Sequence, residues 1–499
     1  MKSHIKITTL ILLMLGLAGL QFCTPEARNQ QQTNQKMTET EPDTIDRTAR
    51  PEPGPAPEIR LPEPEKASLD NGLDIVLVTQ SEVPMVIMDL VIHNGSAADP
   101  VDAPGLADFT AAMLDEGTEN RTALDISEGI DFYGARLSTG SNWDYSHVKL
   151  TTLTKHLDST MMVFTDVIRN STFPKEDFER VREERLNSLL QKKDQPSTIA
   201  TEAFYKVIYT KGHPYGTPDE GTEESLNEFT PEDLRQFRDD YYRPNNATLF
   251  VAGDITMEEL LPRVRAAFGD WKPGDTDFPT VPEIPSAEYS NIYLVDKEGA
   301  PQSQIRIGHP GLHRDNPDYA AVQVMNEILG GSFGSRINMN LREDKGFTYG
   351  ARSAFVYRRG VGPFLAYAGV KTSTTDSSVK EFLKEIRTIV EEPVSDEELD
   401  RAKSSMTLSL ARETETLNQI LDLQIDQVVY DLPEDHLSAY VSKVRNMTKT
   451  EVQQAAREYL HPNKLAIVVV GDKDSVRSGL EKLDYGEVLE LDLSGELVE

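Results

Sequence analysis

The 499-residue sequence holds a single cysteine, Cys23. A disulfide within the chain is therefore impossible, and so is any zinc site built on two or more thiolates. Basic residues are scarce as well: Lys and Arg total 51 against 83 Asp and Glu, a formal charge of −32. That balance argues against a general nucleic-acid binder and against a surface held to anionic lipid by polybasic attraction, since both need a basic footprint. No apolar run reaches the roughly 20 residues of a membrane-spanning helix. What is present suits a globular protein: 38% hydrophobic residues, with 17 Phe and 17 Tyr, and a length that admits two or more domains.

The N-terminus reads as an address. Lys2 and Lys6 precede an apolar stretch from Ile7 to Leu20, short enough for a signal-peptide core. The segment closes on Leu20-Gln21-Phe22-Cys23 and resembles a bacterial lipoprotein signal, in which cleavage leaves the cysteine as the acylated first residue. Leu20 fits that pattern; Phe22 is larger than the small residue normally found there. An ordinary secreted protein with an incidental leader cysteine is the alternative. The expectation is a signal peptide over 1–22, then a lipidated N-terminus and Pro/Glu/Gln-rich tether over 23–66. The protein is expected to be exported and lipid-anchored in a bacterial cell envelope, facing the periplasm or the exterior.

The body contains an internal duplication. A constant shift of 218 residues aligns Thr230–Asp254 with Thr448–Asp472 over 25 positions, eight of them identical, including Pro244/Pro462, Asn245/Asn463, Gly253/Gly471 and Asp254/Asp472. Both copies read as a capped helix, a Pro-Asn turn and a buried strand. Pro174–Arg180 echoes Ser395–Arg401 at a shift of 221, so the order of elements repeats too. Strand runs such as Ile75–Val78 and Val86–Ile92 mix with these helices. The fold class is therefore α+β, with domains expected at 67–270 and 290–490 and a proline-rich linker at 271–289. Each domain is expected to be a mostly antiparallel sheet packed with helices.

Pro104–Thr118 then brings a specific likeness. Gly105-Leu106-Ala107, Phe109, Met113-Leu114 and Gly117-Thr118 resemble the frame of the pitrilysin/insulinase family of zinc peptidases, which includes the mitochondrial processing peptidases. Active members carry an inverted motif, H-x-x-E-H, on this helix: two histidines one turn apart bind zinc and the glutamate activates the bound water. Here the first His is Asp108, the Glu is Ala111 and the second His is Ala112. Alanine neither ligates a metal nor moves a proton. The family's further acidic ligand falls near Asn187 or Ser188, and neighbouring Glu183 and Glu184 read as a solvated face. His309 and His313 are separated by Pro310 and Gly311, which break the helix that would aim both at one ion. His213 opens a His-Pro-Tyr-Gly loop with a structural reading. No metal site is expected in this chain.

The second half keeps its motifs. Ile328–Arg336 predicts a helix and a glycine-rich loop, followed by a helical segment ending at Gly346 and a strand entering at Phe347. The family places an Arg and a Tyr seven residues apart in this half, matched by Arg342 and Tyr349. The resemblance implies that they are catalytic: the Arg holds a peptide carbonyl and the Tyr hydroxyl stabilises the oxyanion. Gly330, Gly331 and Gly334 either permit a tight turn or let the backbone approach a bound peptide. The resemblance further implies two domains facing each other as half of a peptide chamber. The chain would then be the zinc-free subunit of a heterodimeric peptidase, with a zinc-bearing homologue holding the metal and peptides as substrates. The alternative is a proteolytically inert peptide-binding or scaffolding lipoprotein of the cell envelope.

Overall fold

The apolar runs of the first half become six strands: β1 (Glu65–Ser68), β2 (Asp74–Thr79), β3 (Met85–Ile92), β4 (Arg136–Ser141), β5 (Ser146–Leu153) and β6 (Ala247–Gly253). Those of the second half form six more: β7 (Ile292–Asp296), β8 (Gln302–Pro310), β9 (Thr348–Phe355), β10 (Pro363–Lys371), β11 (Ala466–Gly471) and β12 (Val488–Leu491). This computed structural model describes residues 63–498 apart from residues 210, 277–279 and 285–288. Cys23 and most of the tether thus lie outside the described residues. β1 begins two residues before the expected domain edge.

Two sheets result, ordered β1-β2-β6-β3-β5-β4 and β12-β7-β11-β8-β10-β9. Five strands correspond one to one, so the duplication read from Thr230 and Thr448 extends through the whole of each half. Both of those threonines cap helices with reciprocal capping boxes, Thr230 with Asp233 and Thr448 with Glu451. The outer edge breaks the symmetry. β1 arrives from the N-terminal side and runs antiparallel to β2, whereas β12 arrives from the C-terminal side and runs parallel to β7.

The central strands β6 and β11 are buried along their entire length, which requires cover on both faces. One face packs on helices of the same half: Leu249 and Val251 of β6 join Phe164, Phe178 and Phe237. The other face is covered by a helix from the opposite half. Ile199, Ala203, Phe204 and Ile208 on the Pro196–Ile208 helix pack on Val468 and Val470 of β11. Reciprocally, Ile420, Leu421, Ile425 and Val429 on the Leu417–Val429 helix pack on Val91 of β3 and Phe250 of β6. Each fully buried Phe or Leu in such a seam is worth about 2 kcal/mol relative to exposure.

Each exchanged helix also covers one buried charge at equivalent positions of β3 and β8. Arg306 on β8 is well served: it donates to Thr201 Oγ1 at 3.1 Å and to the carbonyls of Ser197 and Ile305 at 3.0 Å each. Asp89 on β3 has Lys149 Nζ at 3.6 Å, and its Oδ1 has no hydrogen-bond partner. Burial pushes the Asp89 carboxyl up to about 7.

Candidate functional site

The Leu106–Ala112 helix starts at Gly105, whose φ of +90° and contact with the Gly221 backbone leave no room for a side chain. Asp99 caps it, accepting N–H donors from Gly105 at 2.7 Å and Ala107 at 2.9 Å. Asp108 and Ala112 then face a cavity of about 400 Å³ with Glu116, Glu184, Arg185, Ser188 and Glu220 also in its wall. Ala111 is fully buried in the core instead. Of the two positions proposed for the further acidic ligand, Ser188 lines this cavity.

Arg185 occupies the centre of this arrangement. Its Nη1 donates to Asp108 Oδ2 at 2.6 Å, its Nη2 donates to the Asp108 carbonyl at 3.0 Å, and its guanidinium lies 5.2 Å over the Phe109 ring. The remaining carboxylates are answered in the same way: Glu116 and Glu184 by Arg180, and Glu220 by Lys192. Glu184, read from sequence as solvated, is exposed but serves this network. A cavity with one potential ligand already committed to a guanidinium, plus an alanine and a serine, does not fit zinc. Among the described residues no group of three His, Cys, Asp or Glu side chains is placed to hold a metal ion.

The histidines are spread through the fold. His213 accepts the Tyr215 N–H on Nδ1 at 3.1 Å and pairs with the Pro282 carbonyl through Nε2 at 3.0 Å, an arrangement that requires the Nε2–H tautomer. His309 is buried beside His461, and burial pulls its pKa down to about 4. His313 instead reaches the Arg359 carbonyl at 3.2 Å.

In the second half the chain from Glu327 to Asp344 winds largely as two wide helical turns, then reverses at Gly346, φ +63°, into β9. Gly330 is buried against β9; a Cβ there would stand 2.3 Å from Ser353 Oγ and 2.4 Å from Ser353 N. Its missing side chain thus has a packing reason. At Gly331 a Cβ would meet Asn326 O at 3.1 Å, and at Gly334 only the Arg401 side chain at 3.5 Å. Asn338 ties the loop to the strand: Nδ2 donates to the Phe333 carbonyl at 2.7 Å, and Oδ1 accepts the Ala351 N–H at 3.2 Å. Arg336 and Glu398 brace the base through two hydrogen bonds of 2.6 and 2.9 Å.

Arg342 sits on the second wide turn, its Nε 3.2 Å from Glu343 and its guanidinium 4.7 Å above the Phe333 ring. Tyr349 lies where β9 slips register against β10, the three-residue step from Thr348 to Ala351 facing the two-residue step from Val370 to Ala368. Thr348 Oγ1 fastens that bulge by donating to the Gly369 carbonyl at 2.7 Å. The bulge breaks the side-chain alternation, and Tyr349 stands 91% exposed, the most exposed large apolar or aromatic side chain among the described residues.

A family model described as "Insulinase (Peptidase family M16)" matches residues 75–218, and one described as "Peptidase M16 inactive domain" matches residues 228–406. The chain belongs to the insulinase family, M16. It is 25% identical over 354 residues to the Bacillus subtilis "Uncharacterized zinc protease YmxG", covering 71% of this chain and 85% of that protein. The Helicobacter pylori "Non-peptidase homolog YmxG" is 22% identical over 392 residues, 78% of this chain and 90% of its own length. An Arabidopsis thaliana protein named probable mitochondrial-processing peptidase subunit beta is 22% identical, covering 83% and 79%. Among solved structures, the peptidase M16 inactive domain from Pseudomonas fluorescens superposes with a TM-score of 0.77 at 26% identity, covering 82% of this chain and 98% of that one. A protease from Helicobacter pylori shares the fold, with a TM-score of 0.77 at 20% identity over 83% of this chain and all of the other.

Residues that sequence reading missed in this M16 chain hold the halves together. Asp144, in the β4–β5 turn, accepts hydrogen bonds from Tyr215 at 3.1 Å, from Tyr430 at 3.0 Å and from the Arg359 N–H at 3.2 Å. Arg358 beside it stacks 3.7 Å from the Trp143 ring. Burial and the Asp144 charge push both tyrosine hydroxyls well above their ordinary range. Arg185 and Phe333 were missed as well. Their partners Asp108 and Arg342 were both singled out, but a contact made through the fold leaves no signal in local spacing.

Proposed function

We propose that this chain is the zinc-free subunit of a heterodimeric M16 peptidase, supplying Arg342 and Tyr349 to peptides held against a zinc-bearing homologue. The observation that carries the reading is the contrast within the chain: Arg185 is bonded to Asp108 where the zinc motif would lie, while half-buried Arg342 and exposed Tyr349 stand on a braced loop and a fastened bulge. A residue pair so placed serves a reaction centre contributed by another chain. The partner's zinc supplies the activated water; here the Arg342 guanidinium holds a peptide carbonyl and the Tyr349 hydroxyl donates to the developing oxyanion. Exposed Gly331 and half-buried Gly334 would let the backbone approach a bound peptide. Acylation at Cys23 and the tether hold the assembly at a membrane of the cell envelope. The Arabidopsis relative, named as a subunit, supports an assembled state.

A second reading, an inert peptide-binding scaffold, is favoured by the name of the Helicobacter pylori relative. Native affinity purification followed by zinc analysis and a peptide-cleavage assay separates the two. On the first reading the complex carries zinc in the partner and cleaves peptides, and Arg342→Ala and Tyr349→Phe each slow turnover roughly 100-fold without weakening assembly. Unchanged turnover in both variants would falsify the subunit role.

A further inference from the structure

Away from either motif, in the second half, the Tyr319–Asn326, Asp396–Arg412, Leu417–Val429 and His436–Asn446 helices converge on a cavity of about 510 Å³. That volume falls within the roughly 300–1,000 Å³ of small-ligand sites. One wall is apolar, with Met406, Leu410 and Leu423; another is aromatic, with Tyr319 and Tyr440 rings 5.6 Å apart. Asp315, Glu327, Glu413, Asp426 and Asp435 add five carboxylates to the lining, and none forms an ion pair within 4.0 Å among the described residues. This differs from the Asp108 cavity, where every carboxylate has a basic partner.

The cavity already displays the chemistry it prefers. Arg314 enters from the loop after β8 and lays its guanidinium 3.9 Å over the Tyr319 ring, a cation–π contact backed by the attraction of Asp426. Lys443, the other cation in the wall, is committed to the Pro317 carbonyl at 3.3 Å. Two resident cations, Arg314 and Lys443, do not balance five carboxylates, and burial with neighbouring acids keeps the Asp426 carboxyl above its ordinary value.

We propose that this cavity binds a ligand carrying two or more positive charges on a partly apolar frame. That chemistry is shared by a Lys/Arg-containing peptide segment and a linear polyamine. The site stands apart from the Arg342/Tyr349 reading and survives its failure. The test is isothermal titration calorimetry of the full chain with the peptide Lys-Ala-Arg-Ala-Lys and, separately, with spermidine, at low and high salt. Saturable one-to-one binding that weakens with salt is expected, falling at least tenfold in the Glu413→Gln/Asp426→Asn variant. The Glu224→Gln/Glu228→Gln control, which removes two exposed acids from the other half, leaves affinity unchanged and so separates the cavity from the general −32 charge. If the double cavity variant does not fold, Glu327→Gln alone carries the same expectation. Tighter binding of the peptide assigns the natural ligand to peptides, and tighter binding of spermidine assigns it to polyamines. No saturable binding of either probe, or an equal loss in the control, overturns the proposal.

Discussion

At the Leu106–Ala112 helix the charges are closed in on themselves; at β9 they are left open. Asp108, Glu116, Glu184 and Glu220 are all spoken for by Arg185, Arg180 and Lys192. Among the described residues the Arg342 side chain has only its chain neighbour Glu343 and a phenyl ring, and Tyr349 has solvent. The difference teaches that loss of a metal site is more than deletion of ligands. The Asp108 cavity is closed by an ion-pair network, whereas the β9 bulge leaves an aromatic side chain exposed.

The strongest test of that contrast is to reverse it. Asp108→His, Ala111→Glu, Ala112→His and Ser188→Glu together restore the ligand types, and with Arg185→Ala added the protein is expected to take up one zinc per chain by elemental analysis. With Arg185 retained, occupancy is expected to fall at least tenfold, because the guanidinium holds the metal's place. Next in size is Phe204→Ala on the exchanged helix, expected to cost about 3–5 kcal/mol in denaturant unfolding through the cavity it leaves against β11.

Smaller still is a paired comparison. Arg185→Ala strands a largely buried Asp108 and is expected to cost about 1–3 kcal/mol, whereas Arg342→Ala should shift stability by no more than about 0.5 kcal/mol. Equal losses would erase the distinction drawn here. The subtlest test is pH. Burial raises the Asp89 carboxyl to about 7 in the folded state, above its ordinary value of 3.8, so the folded chain binds the extra proton between those limits. Its stabilising contribution is complete below about pH 4 and is lost as pH rises through 7. Relative to the parent chain, Asp89→Asn should therefore gain stability at pH 8 over pH 5, read as denaturation midpoints.

Much of the architecture was legible because its signals are local. The Thr230/Thr448 caps, the Pro-Asn turns and the apolar strand runs each report on a few consecutive residues, and a repeat of all three implies a repeat of the sheet. The exchange of helices was not legible. The apolar stripe of Ile199, Ala203 and Phe204 reads the same whether it covers its own sheet or the other. The parallel edge strand β12 escaped for a related reason, since Val488–Leu491 carries no mark of its partner. At the sites, the lost motif could be read residue by residue, but Arg185, 77 positions from Asp108, could be placed only by the fold.

The reciprocal helices make the polypeptide an obligate dimer of its own halves. Neither sheet is covered on both faces without a helix encoded on the far side of the connector, so the two halves are expected to melt in one transition. The residues between β6 and β7 are part of the architecture: Leu260, Val264 and Phe268 sit in the first core and Tyr289 in the seam. A ligand that tightens one half must then be felt as added cohesion in the other.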